Sequence, residues 1–226
     1  MIWNILKNAS SYAGDVDDLV WLVTFLTGFW FIATFAMFFW LIFKFKAKDG
    51  VKAQYVTGDE PHLKRWITIP HGLVLVCDVF IIIGAVNVWY KIKLDRPPAD
   101  ETVKVISQQW AWVFQHAGAD GQLDTADDIK TVNELRVEVN KTYHYILSSR
   151  DVLHDFSVPA FRLKQDAIPG REITGWFKPT VAGEYDIQCA EICGVGHGLM
   201  PAKLVVESAE NHAAWVNSHT PSLASN

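Results

Sequence analysis

The sequence predicts a two-helix membrane hairpin followed by an all-β domain. Three observations predict it. Two apolar runs of membrane-spanning length lie before residue 91, short alternating segments fill most of the remainder, and a proline pair separates the two regions. Aromatic content is high, with 10 Trp and 13 Phe, and most of the excess sits in the first region, which reads as lipid-facing surface and not as an oversized core.

The first run, Leu19 to Phe43, contains no charged residue and is long enough to cross a bilayer with some tilt. A signal peptide is the competing reading. The run is too long for one, and it follows Asp15, Asp17 and Asp18 instead of a basic stretch. The second run, Trp66 to Tyr90, holds a single internal acid, Asp78, which is costly in lipid and should face a polar partner, as should His71; Cys77 reads as a packing residue. Between the runs lie Lys44, Lys46, Lys48, Lys52, Lys64 and Arg65, whereas Lys7 is the sole base ahead of the first. The positive-inside rule therefore predicts a cytoplasmic loop near 44–65 and both termini outside. The expected organisation is an extracytoplasmic segment 1–18, a hairpin 19–92 and an extracytoplasmic domain 93–226.

Arg96-Pro97-Pro98-Ala99-Asp100 reads as a stiff linker, because consecutive prolines stop a helix. Beyond it, Leu135 to Asn140 alternates apolar and polar residues as a half-buried strand does. Tyr143–Leu147, Glu172–Phe177, Glu184–Gln188 and Ala202–Val206 are further strand candidates separated by turn residues, and Ser208–Asn217 reads as a short helix. Short strands with Gly and Pro turns predict a β-sandwich or barrel. The net charge of −5 has no basic stripe, which excludes nucleic-acid partners.

The chemistry concentrates in Cys189-Ala-Glu-Ile-Cys193-Gly-Val-Gly-His197-Gly-Leu-Met200. Two thiols, an imidazole and a thioether select copper or zinc over hard cations, and the thioether favours copper. Glycines at 194, 196 and 198 are expected to let the chain wrap an ion through positive φ. Two other readings compete. A Cys189–Cys193 disulfide would leave His197 and Met200 without a role. A structural zinc site would want four strong ligands and no methionine. A mononuclear copper site uses one cysteine, so the second thiol favours two coppers bridged by both sulfurs, which requires a second histidine.

The loop, together with Asp151-Val-Leu-His154 and Lys164-Gln-Asp166-Ala-Ile-Pro-Gly-Arg171, resembles subunit II of the haem–copper cytochrome c oxidases. The resemblance implies a cupredoxin-like fold, a Greek-key β-sandwich or barrel, carrying the binuclear CuA centre with two copper ions. It implies that Cys189 and Cys193 bridge, that His154 and His197 each bind one copper, that Met200 is axial on one and that the Glu191 backbone carbonyl is axial on the other. The Glu191 carboxylate would help hold a magnesium ion at the interface with subunit I. Trp110 occupies the position where the family takes in electrons from cytochrome c, while Trp112 and Phe114 read as packing residues. The implied protein is the electron-accepting subunit of an oxidoreductase in a bacterial inner membrane, more than a mitochondrial one. It would pass electrons to haem in subunit I, where oxygen is reduced to water. Implied partners are subunit I, the other oxidase subunits, a cytochrome c or other haem c donor, and lipid. No Cys-x-x-Cys-His occurs, so no covalent haem is expected.

Three departures stand out. Ala111 replaces a usual tyrosine, Arg150 stands where an acid is common, and Leu63 holds the place of a glutamate that marks proton uptake, with Glu60 nearby. Asp151 and Asp155, flanking His154, are candidate docking carboxylates. The acidic stretch Asp120 to Asp128 reads as a solvated hairpin that could also attract a donor or bind calcium. The competing functions are a quinol oxidase subunit, which would lack the copper ligands; a nitric oxide reductase subunit sharing the hairpin; a nitrous oxide reductase, which would need a second large domain; and a copper-delivery protein, which would need neither hairpin nor Trp110.

Overall fold

The computed structural model describes residues 7–221 and divides into two compact units, residues 17–90 and residues 7–16 with 91–221. In the first unit, helix α1 (Ala13–Lys44) and helix α2 (Pro61–Trp89) are the two long elements. Each is apolar all round and of spanning length, and its most hydrophobic stretch has no buried residue, so the unit exposes a surface suited to lipid. Gly84 lets the helices approach, since a Cβ there would lie 3.0 Å from Leu19 Cδ1, and Trp40 stacks on Trp66 at 6.3 Å. Helix α2 starts with Pro61 at its first turn, where a missing N–H costs nothing, and runs on into a π turn over Tyr90–Leu94.

The second unit is a sandwich of two five-stranded sheets. The first sheet contains β1 (Glu101–Gln108), β2 (Ala111–His116), β3 (Ile129–Val132), β5 (Tyr143–Ser149) and β8 (Ile173–Phe177), in the order β3-β2-β1-β5-β8. The second contains β4 (Glu134–Glu138), β6 (His154–Val158), β7 (Leu163–Ala167), β9 (Gly183–Cys189) and β10 (Ala202–Glu207), in the order β4-β10-β9-β6-β7. Two pairings, β1 with β5 and β10 with β4, are parallel, so the chain crosses between sheets instead of running as a meander. The alternation in β1 and β4 sends Val103, Val105, Leu135 and Val137 inward, where they meet Trp112, Phe114, Tyr145, Phe156 and Phe177. Each such side chain contributes about 1.5–3 kcal/mol when fully buried.

Residues 9–13 are part of this unit. Ala9 N–H donates to Ala160 O and Thr180 N–H to Ala9 O, Ser10 pairs with Pro179, and Tyr12 is fully buried edge-on to Trp176 at 5.1 Å. At the other terminus, helix α3 (Ala209–His219) is capped by Ser208, whose Oγ accepts from Asn211 N–H. It is held down by His212, which meets Glu207 at 3.2 Å and Glu101 at 3.8 Å, and by Trp215, which packs edge-on to buried His116 at 5.1 Å. The fold class expected from the sequence, a pair of spanning-length apolar helices followed by a β-sandwich, is the one observed.

Candidate metal centre

Adjacent strand ends of the second sheet deliver the donors. Strand β6 begins at His154 and β9 ends at Cys189, with Phe156 and Cys189 in register. The turn from β9 to β10 supplies Cys193, His197 and Met200, the last two framing a short 3-10 turn over His197–Leu199. His154 Nδ1, Cys189 Sγ and Cys193 Sγ lie within 4.8 Å of one another. Both cysteines are free thiols, their sulfurs 3.8 Å apart, so they are not a disulfide.

The donors sort into two similar sets. Around Cys189 Sγ are His154 Nδ1 at 3.8 Å and the Glu191 carbonyl oxygen at 3.2 Å. Around Cys193 Sγ are His197 Nδ1 at 3.7 Å and Met200 Sδ at 3.4 Å. All six groups assigned from the sequence motif therefore converge. His154, Cys193 and Met200 are buried, while Cys189 and His197 are half-buried. Burial and the neighbouring Cys189 push the Cys193 thiol up to about 11, and a soft cation would reverse that by taking the thiolate. Thiolates, imidazoles, a thioether and a carbonyl form a donor set that fits copper and is poorly suited to structural zinc.

The surroundings hold these donors in place. Asp151 Oδ1 meets His154 Nε2 at 2.9 Å and accepts from Val152 N–H at 2.7 Å, while its Oδ2 accepts from Gln109 N–H at 2.6 Å. Partial burial opposes its charge, but these bonds outweigh that and keep its carboxyl below the usual range. Carboxylate contact at Nε2 leaves Nδ1 of His154 directed at sulfur. Trp112 Nε1–H donates to Met200 O at 3.1 Å, and Gln109 Nε2–H donates to Cys193 O at 2.7 Å, tying the turn to the first sheet.

The glycines act differently from expectation. Of glycines 194, 196 and 198, only Gly194 takes a positive φ, at 119°. Gly196 is required for space, because a Cβ there would sit 2.4 Å from Trp110 Cδ2, and Gly198 meets neither constraint. Trp110 lies across this loop, 37% exposed, while Trp112 and Phe114 are fully buried as expected. The two candidate docking carboxylates differ in exposure: 30% of the Asp151 side chain is open to solvent, whereas Asp155 is buried. Asp151 is engaged with His154, and the Asp155 carboxyl is raised to about 6 by burial and by neighbours that include Asp166 and Glu191. The positioning roles of Asp151, Gln109 and Trp112 were not read from the sequence. The Asp-x-x-His spacing was the available signal.

Fold and site together define a β-sandwich metalloprotein with a soft-donor centre, joined to a helical pair of spanning length. Residues 101–209 match the family described as cytochrome C oxidase subunit II, periplasmic domain. The chain is 32% identical to the alternative cytochrome c oxidase subunit 2 of Bradyrhizobium diazoefficiens, over 90% of this chain and 79% of that protein. It is 28% identical to cytochrome c oxidase subunit 2 of Cereibacter sphaeroides, over 77% of this chain and 66% of the relative. Among solved structures, the periplasmic domain of subunit II of cytochrome oxidase from Bradyrhizobium japonicum is 32% identical and covers 54% of this chain and 95% of its own, with a TM-score of 0.49. The chain belongs to the cytochrome c oxidase subunit II family, and its β unit is the cupredoxin-like sandwich expected of it.

Proposed function

We propose that this chain is the electron-accepting subunit of a haem–copper oxidase, taking electrons from a cytochrome c-type donor at a binuclear copper centre and passing them to haem in subunit I for reduction of oxygen to water. The observation that carries the reading is the doubled donor set: each thiol has its own imidazole and its own weak donor. One ion would use half of these groups, and two ions sharing Cys189 and Cys193 would use all of them. When bound, such a pair supplies one-electron redox chemistry with the charge change shared between both ions.

The protein's part is positioning. Asp151 orients the His154 ring, Trp112 and Gln109 hold the loop carbonyls, and the packed core beneath keeps donor positions fixed between redox states. Trp110, across Gly194 and Gly196, is where electrons enter. Glu191 is exposed, and its carboxylate would help hold magnesium where subunit I meets this chain. In this reading 1–18 and 93–226 lie on the periplasmic side of a bacterial inner membrane, with the loop near 44–65 in the cytoplasm.

The test is paired substitution in the assembled oxidase. His154→Ala and Cys193→Ser should each abolish donor oxidation and the two-copper signal, while the hairpin still inserts and subunit I still co-purifies. Donor oxidation at the normal rate in either variant would refute the assignment.

A further inference from the structure

We propose that the helical pair holds one anionic phospholipid, its phosphate among the lysines of the loop between the helices and an acyl chain along the groove beside Trp40. The site is independent of the metal centre and requires only that α1 and α2 span a bilayer. A cavity of about 770 Å³ lies at the loop end of the pair, lined by Lys44, Lys46, Lys48 and Lys52 together with apolar Phe45 and Val56, and no acid lines it. Val51 N–H donates to Lys48 O at 3.2 Å, and this turn takes Gly50 through a positive φ of 77°. The turn folds 51–56 back, so that both arms of the loop line the one cavity. Residues 44–56 hold four lysines and one aspartate, a net charge of +3. Among the described residues none of these four lysines makes an ion pair. The next acids along the loop are turned elsewhere: Asp59 meets Lys64 at 3.5 Å, and Glu60 accepts from the N–H and hydroxyl of Thr57 and from Gly58 N–H. Four unpaired ammonium groups around one cavity repel one another, and an anion among them removes that cost.

The surroundings mark the anion as a lipid's. Phe45 and Val51 are 65% and 69% exposed beside the lysines, and a free phosphate would leave both in water. Lys44 closes the uncharged run of α1, and Trp40 stacks on Trp66 one turn further in, which sets the cavity at headgroup depth. Next to it is an apolar groove of about 330 Å³, lined by Ala33, Ala36, Met37, Trp40 and Trp66. Ala33, Met37, Trp40 and Lys44 recur at intervals of four, three and four, so groove and cavity share one face of α1. Trp40 in the groove and Lys44 in the cavity are about 6 Å apart along the helix axis. The two alanines leave room where larger side chains would close the groove. A phosphodiester with an acyl chain fills both parts, whereas a zwitterionic headgroup would bring a further cation to the lysines.

The experiment titrates the full chain, purified in mild detergent and stripped of lipid, with dioleoyl phosphatidylglycerol, dioleoyl phosphatidylcholine or inorganic phosphate. Native mass spectrometry reads the occupancy. One phosphatidylglycerol should bind, at least about ten-fold tighter than phosphatidylcholine, and excess phosphate should not displace it. K46Q/K48Q keeps Lys44, Lys52, Lys64 and Arg65, and with them the signal that orients the helices. At about five-fold per lysine it should weaken phosphatidylglycerol about 25-fold and leave phosphatidylcholine unchanged. A33L/A36L should lower the affinity for both lipids by filling the groove. Equal affinity for the two lipids, or a K46Q/K48Q chain that keeps its preference, would overturn the inference. Displacement of the lipid by phosphate, with A33L/A36L binding phosphatidylglycerol as before, would make this a site for a free anion and overturn it too. In an oxidase assembled as proposed above the lipid should survive purification; its absence there would give the groove to a neighbouring subunit. Should either variant fail to fold, the ratio between the two lipids on the unaltered chain decides alone. Copper and donor oxidation play no part in the readout, so its failure leaves the electron-transfer reading standing.

Discussion

Replacing Asp151 with alanine tests how the protein aims a metal ligand. Asp151 accepts from two backbone N–H groups, at 2.6 and 2.7 Å, and meets His154 Nε2 at 2.9 Å. Hydrogen bonds to a charged acceptor contribute about 1.5–3 kcal/mol each, but the Asp151 side chain is 30% exposed, so water recovers part of the loss. A stability cost of about 2–4 kcal/mol follows from discounting the sum in that way. The larger consequence is for the centre. Without the carboxylate, the His154 ring is free to change tautomer or rotate, and loss of such an orienting partner lowers metal affinity about 10–100-fold. Copper affinity measured against a competing chelator, on full chain shown by near-ultraviolet circular dichroism to be folded, reads this effect separately from stability. Asp151→Asn should recover one of the two backbone contacts, because its amide oxygen accepts and its amide nitrogen does not, and so regain part of the stability with less of the affinity. Affinity within about two-fold of the unaltered chain for D151A would refute the orienting role.

Gly196→Ala should push the Trp110 ring off the loop, since the new methyl would lie 2.4–2.8 Å from three of its ring atoms. Overpacking of this kind costs about 1–3 kcal/mol, and donor oxidation should slow while the copper spectrum holds; an unaltered donor rate would count against Trp110. Trp112→Phe removes the indole bond to Met200 O at 3.1 Å. Denaturant unfolding should show a loss of about 2–4 kcal/mol, with a shifted copper potential. The α3 clasp should set a stability optimum close to pH 6.5. Burial opposes the charge on His212, but Glu101 and Glu207 outweigh it and raise its pKa, so its contribution is complete below 6.5 and is lost as pH rises through the folded value. Burial holds His116 down to about 3, so stability falls as pH drops below 6.5. Glu101, lowered to about 2 by His212 and Lys141 against the effect of burial, adds a further loss below 4.5. Thermal unfolding between pH 4 and 9 should peak near 6.5, and His212→Gln should flatten the alkaline limb; a steady rise to pH 9 would contradict this.

The elements legible in the sequence were those whose signal is local. Leu19–Phe43 carries no charge and became the middle of α1, and the alternation from Leu135 became β4. The donors were legible because chemistry places scarce residue types at short spacing: Cys189, Cys193, His197 and Met200 fall in one turn, and only His154 comes from afar. What escaped was non-local. β6 and β7 carry Asp155 opposite Asp166 and read as polar, because their burial is decided by neighbouring elements and not by alternation. Residues 9–13 contain small and polar groups with one tyrosine, and nothing local reveals that Tyr12 fills a space against Trp176. The glycine reading erred for a related reason: the demand on Gly196 comes from Trp110, far away in sequence, and not from its own φ.

The central claim is two coppers bridged by Cys189 and Cys193, and copper stoichiometry measured together with electron paramagnetic resonance on the full chain tests it most directly. Two copper ions per chain are expected, with a mixed-valence signal from one electron shared equally between both. One copper per chain with a mononuclear signal, or a chain that takes zinc in preference and shows no such signal, would contradict it.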